Sequence, residues 1–288
     1  MASEADGGYL YIFLTSAFKQ GNPLAVLSLM FLFLCRFLPI ISLSPFFGSR
    51  VLPHPVKVTF ALSMFVIFLP QLLTVTTTQL TFSPYLALLL MKELFVGTLI
   101  GFIMGVPFTI VQNTGLIIDH QRGGASLMVN DPTIQNQSSP LGTLFNMVLI
   151  YIFYYIDGPF IFLNGIITSY EIIPPDLMLS SHFFEETTKL WDLIVKLFNQ
   201  VMVISIQLSA PALLAILMTD AFLGIANRLA PQVQITFLGM PLKSLLALAV
   251  VCFGWKVFSE ELVHQCYKWL DTVKSVMLMI SSQTPSLH

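Results

Sequence analysis

Charge is what this chain has least of. Only 10% of its 288 residues are Asp, Glu, Lys or Arg, against about 25% in an ordinary soluble domain. So little polar material cannot cover a water-soluble globule of this length. Cysteine is scarce as well. Cys35, Cys252 and Cys266 are too few and too scattered for a disulfide framework or a zinc site, and the first two read as buried, inert thiols. With 13 basic against 15 acidic residues and a pI near 6.2, there is no basic footprint for nucleic acid.

Catalytic motifs are missing too. There is no H-E-x-x-H, no GxxxxGK[ST] phosphate loop, and the five histidines stand far apart. The stretch Gly124-Ala125-Ser126-Leu127-Met128 lacks the second glycine of a nucleophile elbow. These absences predict a protein that is not an enzyme and needs neither metal nor cofactor. The N-terminus is also unlike a cleaved signal peptide. Glu4 and Asp6 precede any basic residue, and the first apolar segment is too long for a signal's apolar core. A retained first helix is expected.

What is abundant is apolar: 56% of residues are hydrophobic and the mean hydropathy is +0.82. The fold class predicted is all-α, a polytopic helical membrane protein with kinked helices and helical hairpins. Hydropathy and breaker residues mark six apolar segments: 23–47, 58–73, 85–118, 141–167, 193–219 and 242–258. The fourth is broken near Asp157-Gly158-Pro159, and Pro39, Pro70 and Pro211 interrupt others. Between the fourth and fifth lies an acidic stretch, 171–192, in which Glu185, Glu186 and Trp191 suggest a short surface helix. From 259 onward the pattern is amphipathic, and the last residues, 281–288, read as frayed. Broken helices survive at membrane depth only where protein or a water-filled cavity satisfies the freed backbone groups. That favours a subunit buried among other helices.

Gly97, Gly101 and Gly105 stand four residues apart within 94–118, a run without one charge. The spacing puts them on one helix face, where a neighbouring backbone can approach. The alternative is simple tolerance of glycine in membrane helices. Arg36 in the first segment faces a partner, a cavity or an interface, or else snorkels to a headgroup. Lys92 and Glu93, being adjacent, point about 100° apart on a helix and are not expected simply to cancel one another. Each sits near an interface or pairs with a neighbouring helix.

Two polar stretches remain. The first, 119–132, runs from Asp119 through Gln121, Arg122, Gly123, Gly124 and Met128 to the turn signal Asp131-Pro132. It is a hinged loop able to close a passage, or an ordinary connection. The second carries Arg228, Pro231, Gln232 and Gln234 between two apolar helices, with Lys243 beyond. It fixes a hairpin against a partner, or caps a hairpin.

In order and spacing these stretches closely resemble the FliR/SctT family, the T-type inner-membrane subunit of flagellar and type III secretion export gates. The likeness is carried by Gly115-Leu116-Ile117-Ile118-Asp119-His120-Gln121-Arg122-Gly123, Asp131-Pro132 and Ser139-Pro140-Leu141-Gly142. It continues through Asp220, Gly224, Asn227-Arg228-Leu229-Ala230-Pro231-Gln232 and Gly239-Met240-Pro241-Leu242-Lys243, and the turn Gly48-Ser49-Arg50-Val51-Leu52-Pro53 fits too. It spans roughly Arg36 to Trp255. The glycine pair Gly123-Gly124 is a departure, since one glycine is the commoner pattern.

The resemblance implies a single-copy component of a helical multi-subunit export gate in the bacterial inner membrane, built with R-type and S-type subunits and a U-type switch protein. Exported unfolded proteins would thread through it, driven by the proton-motive force and a separate ATPase. It implies an R-like part over 1–190 and an S-like hairpin plus tail over 191–288. The loop 119–140 would then be the gate or plug, with Asp119, Gln121, Arg122, Gly123, Gly124, Met128 and Asp131 as its residues. Arg36, Arg228, Pro231, Gln232, Gln234 and Lys243 would be assembly contacts. The competing reading is a secondary transporter or small-solute channel. No convincing internal repeat supports it.

Overall fold

A computed structural model describes residues 23–47, 53–76, 83–123, 139–178, 187–229 and 235–281. Among the described residues the regular structure is helical throughout, with no strand. The order is α1 (Pro23–Leu43), a 3₁₀ turn (Pro45–Phe47), α2 (His54–Val75), α3 (Pro84–Gln121), α4 (Pro140–Tyr155), α5 (Gly158–Ile172), α6 (Thr187–Leu229), α7 (Ile235–Phe253) and α8 (Trp255–Ser281). Proline opens α1, α3 and α4, where the missing N–H would have had no partner anyway. At the end of α2, Thr76 turns its N–H and its Oγ1 back to Leu72 O.

Four helices are long and apolar enough to cross a membrane: Leu24–Leu43, His54–Val75, Pro84–Gln121 and Ile194–Leu229. The count reaches six when the bent pairs Pro140–Tyr155 with Gly158–Ile172, and Gly239–Phe253 with Trp255–Trp269, are each taken as one span. All six apolar segments are therefore helical. The fourth breaks at Asp157, which takes the left-handed backbone with φ 56° ahead of Gly158-Pro159. Aspartate is among the few side chains enriched there.

Several expectations need correction. The second segment, expected to be short and to be bent or ended by Pro70, is a 22-residue helix, His54–Val75, with Pro70 inside it. The short surface helix expected around Trp191 merges into α6, which continues to Leu229 as a 43-residue helix. The sixth segment breaks at Gly254, and the amphipathic helix already starts at Trp255. Cys252 is exposed and Cys35 half-buried, so the two are not both buried thiols. The turn at 48–52 and the last residues, 282–288, lie outside the described residues.

The chain packs as two units. One comprises Met1–Gly105, Asp157–Leu190 and Leu270–His288, the other Val106–Ile156 and Trp191–Trp269. The first is built on aromatic packing. Phe33 stacks on Phe37 at 5.0 Å and on Tyr170 at 5.7 Å, with Phe65 and Phe68 tilted against it. Phe162 from α5 meets Phe46 edge-on at 5.0 Å. Such pairs add about 0.5–1.5 kcal/mol each beyond burial. In the second unit Phe145 packs on Phe258 at 4.7 Å and Phe108 on Phe153 at 5.9 Å. A polar seam joins α3 to α6, where Ser205 Oγ donates to Ile110 O at 3.1 Å.

Candidate functional site

In the first unit, α1 lies along the glycine ladder of α3. A Cβ at Gly97 would run into Arg36 O and Cα, and one at Gly101 would sit 3.0 Å from Ile40 Cα. One at Gly105 would meet Leu43 O at an ordinary 3.4 Å. The missing side chains let the two backbones touch at the first two positions.

That approach carries Arg36 onto Glu93. Both side chains are fully buried, and Arg36 donates from Nε and Nη2 to the two carboxylate oxygens at 2.5 and 2.8 Å. Its remaining N–H groups reach Ser169 O at 2.9 Å and Ile173 O at 2.8 Å, and its guanidinium lies 4.1 Å from the centre of the Tyr170 ring. Arginine suits this position because its planar fork matches a carboxylate and still has donors left for carbonyls. Lys92 also reaches Glu93, at 2.7 Å, and donates to Pro174 O at 2.7 Å and Leu177 O at 2.9 Å. The adjacent pair does interact, contrary to the expectation from a helical wheel, because the four-carbon lysine stem bends round to bring its ammonium to the carboxylate. Arg36 thus ties α1, α3 and α5 together, and Lys92 holds the turn after α5.

The second unit holds the stem of the 119–140 loop. Asp119 is 1% exposed and accepts four donors. Arg122 Nε and Nη2 reach Oδ1 at 2.8 and 2.7 Å. Ser139 Oγ and the Leu141 N–H, the latter at 3.0 Å, reach Oδ2. Arg122 in turn donates to Ser244 Oγ of α7 at 3.1 Å. One carboxylate thus sits at the last turn of α3 and on the N-terminus of α4, where exposed N–H groups and the helix dipole favour a negative charge. Ser139 completes the cap by accepting from Gly142 N at 2.9 Å. The helices can come this close because Gly115 and Gly142 face each other: a Cβ at Gly115 would run into Gly142 N and Cα, and one at Gly142 would sit 2.9 Å from Gln112 O. Gly123, which follows Arg122, takes φ 88°, a conformation side chains rarely adopt. Gln121 is exposed.

Gly124, Met128 and Asp131 of the expected gate loop lie outside the described residues, as do Pro231, Gln232 and Gln234 of the expected assembly turn. Arg228 is exposed at the end of α6. Lys243 forms an ion pair with Asp220, so α6 and α7 are joined through charge at that level. Sequence reading missed Ser139 and Ser244 as partners of Asp119 and Arg122. Serine followed by proline at a helix start was the available signal for Ser139. For Ser244 there was none. No group of His, Cys, Asp and Glu able to hold a metal occurs among the described residues.

Apolar helices of membrane-crossing length, broken pairs and buried ion pairs define a polytopic helical membrane protein. The chain belongs to the bacterial export proteins, family 1, whose model matches residues 27–268. It is 32% identical over 197 residues to Yop proteins translocation protein T of Yersinia pestis, covering 68% of this chain and 69% of that one. It is 32% identical over 165 residues to the secretion system apparatus protein SsaT of Salmonella typhimurium, covering 57% and 61%. Flagellar biosynthetic protein FliR of Bacillus subtilis is 29% identical over 237 residues, covering 82% and 89%.

Proposed function

We propose that this chain is a structural and gating subunit of the inner-membrane export apparatus of a type III protein secretion system. It lines or seals the channel through which unfolded proteins leave, in company with R-type, S-type and U-type subunits. The observation that carries the reading is the family match over most of the chain, joined to relatives named for secretion and flagellar assembly. The relatives at 32% identity are named for translocation and secretion, which favours an injectisome over a flagellum. Residues 1–190 form the R-like part and 191–288 the S-like hairpin and tail.

The loop 119–140 is the gate, with Asp119, Gln121, Arg122, Gly123, Gly124, Met128 and Asp131 in it. The firm stem around Asp119 supports this, because a plug that yields to a passing polypeptide needs fixed ends. A substrate opens such a plug only through its differential affinity for the open state. Arg228, Pro231, Gln232, Gln234 and Lys243 serve assembly directly, and Arg36 serves it by shaping the chain's own bundle. Gating of this kind is mechanical and calls for no catalytic group, cofactor or metal.

Affinity purification from native membranes tests the reading, with R-type, S-type and U-type subunits expected in fixed proportion to this chain. Deleting residues 121–128 is expected to raise ion leak while the complex still assembles. A solitary chain that conducts small solutes would overturn the assignment, and unchanged leak after the deletion would remove the gate.

A further inference from the structure

Beside the stem around Asp119 stands α7, which presents Met240 and Ser244 one turn apart on the same face. Ser244 Oγ accepts from Arg122 Nη1 at 3.1 Å. A Cβ at Gly123 would come into ordinary contact with Met240 Cγ, at 3.8 Å. Arg122 and Gly123 are the last described residues before the loop. The bonds from Arg122 to Asp119 stay within one turn of α3, so they carry no information on where α7 stands. The bond to Ser244 joins residues far apart in the chain, and it does.

Helix α7 is fixed in turn by α6. Lys243 is next to Ser244 but about 100° round the helix, and it pairs with Asp220. Helix α6 hangs on an earlier part of α3, where Ser205 Oγ donates to Ile110 O at 3.1 Å and Thr114 Oγ1 donates to Ser205 O at 3.4 Å. Polar contacts thus close a ring from α3 to α6, from α6 to α7 and from α7 back to α3. Both arms of the hairpin run on past the charged pair, α6 to Leu229 and α7 from Ile235, for about 14 and 12 Å at 1.5 Å per residue. A pull on these arms moves α7. Since side-chain hydrogen bonds are gone by about 3.6 Å, a shift of about half an ångström at Ser244 releases one side of the Arg122 fork.

We propose that Ser244 is a positioning residue of the loop stem. It holds the second side of the Arg122 fork, and through that fork the placement of the α6–α7 hairpin sets how firmly the 119–140 loop begins. The inference rests on the reading of that loop as the gate and gives the gate an input: whatever draws on the hairpin also loosens the stem.

The test uses the full chain in its native membrane with the rest of the apparatus, and ion leak is scaled to the amount of chain in the assembled complex. Ser244→Ala deletes the acceptor. Arg122→Lys keeps a charge for Asp119 but lacks the fork that also reaches Ser244. Each is expected to raise leak about two- to tenfold, the equilibrium shift of one hydrogen bond. Combined, they leak no more than the leakier one alone, because both cut the same bond. Ser244→Thr keeps the hydroxyl and stays near the unaltered chain. Asp220→Asn frees α7 from α6; it raises leak by itself and adds nothing to Ser244→Ala. Leak unmoved by Ser244→Ala, increases that multiply in the double variant, or a Ser244→Thr as leaky as Ser244→Ala overturn the positioning role. A silent Asp220→Asn overturns the link to the hairpin. Deletion of 121–128 separates this inference from the gate itself. If the deletion leaks and Ser244→Ala does not, the positioning role falls and the gate stands; if the deletion does not leak, both fall.

Discussion

Arg36 costs about 2.5–3.5 kcal/mol to insert at a membrane centre on translocon scales. It is held there by two bonds to Glu93, two backbone carbonyls and the face of Tyr170. Removing one partner of such a buried pair leaves a bare charge behind, a loss of about 3–5 kcal/mol. The geometry depends on Gly97, because any side chain there would meet the Arg36 backbone. The three glycines of the ladder are therefore not equivalent. Gly97→Ala is expected to destabilise by about 1–3 kcal/mol or more, since two backbones must separate. Gly105→Ala meets only an ordinary contact and is expected to be neutral or to gain up to about 1 kcal/mol from helix propensity. Thermal unfolding of each variant, solubilised in detergent together with the subunits that co-purify with it, distinguishes them, and equal midpoints would count against the close approach of α1.

At the scale of elements, one carboxylate links the end of α3 to the beginning of α4, and Arg122 extends the link to α7. An amide at position 119 keeps the shape but loses the charge that pairs Arg122 and complements the α4 N-terminus. Asp119→Asn is therefore expected to loosen the stem by about 3–5 kcal/mol. Ser244→Ala removes a single bond and is expected to cost about 0.5–1.5 kcal/mol. Hydrogen exchange reads this locally, because the Leu141 amide is protected by Asp119 itself. Faster exchange there in Asp119→Asn, with little change in Ser244→Ala, is the expected pattern; undisturbed protection in both would show that the stem is held by something else. Sequence periodicity found the helices on either side but not this link. It saw Asp119 as a loop residue, whereas the carboxylate is buried at a helix end.

For the whole molecule, length and surface point the same way. At 1.5 Å per residue, the 38 residues of α3 span about 57 Å and the 43 of α6 about 65 Å. Both exceed the roughly 40–45 Å of a bilayer with its headgroups, so tilting alone does not readily hide them. Large apolar side chains remain exposed along them, among them Met91, Phe95, Met218 and Phe222. Apolar surface that outruns the bilayer has to be covered by protein. Expressed alone, the chain is expected to aggregate or be degraded, and co-expression with the proposed R-type and S-type subunits is expected to restore a single species on size exclusion. A stable, monodisperse monomer that moves solutes unaided would argue for the transporter reading instead.

Local chemistry was enough to show that this is a membrane protein, where its six apolar segments lie, and that the fourth breaks at Asp157-Gly158-Pro159. Hydropathy, proline and glycine act over a few residues, so their message survives without a fold. The order of its polar motifs was enough to indicate the family. Helix ends were less legible. The helix runs on through Pro70 and from Asp220 to Leu229, and a break falls at Gly254. Pairings across 57 and 133 residues, Arg36 with Glu93 and with Ser169, were decided by tertiary structure alone. A charge in an apolar helix demands a partner, but only the approach of another backbone, permitted by a missing side chain, determines which one it meets.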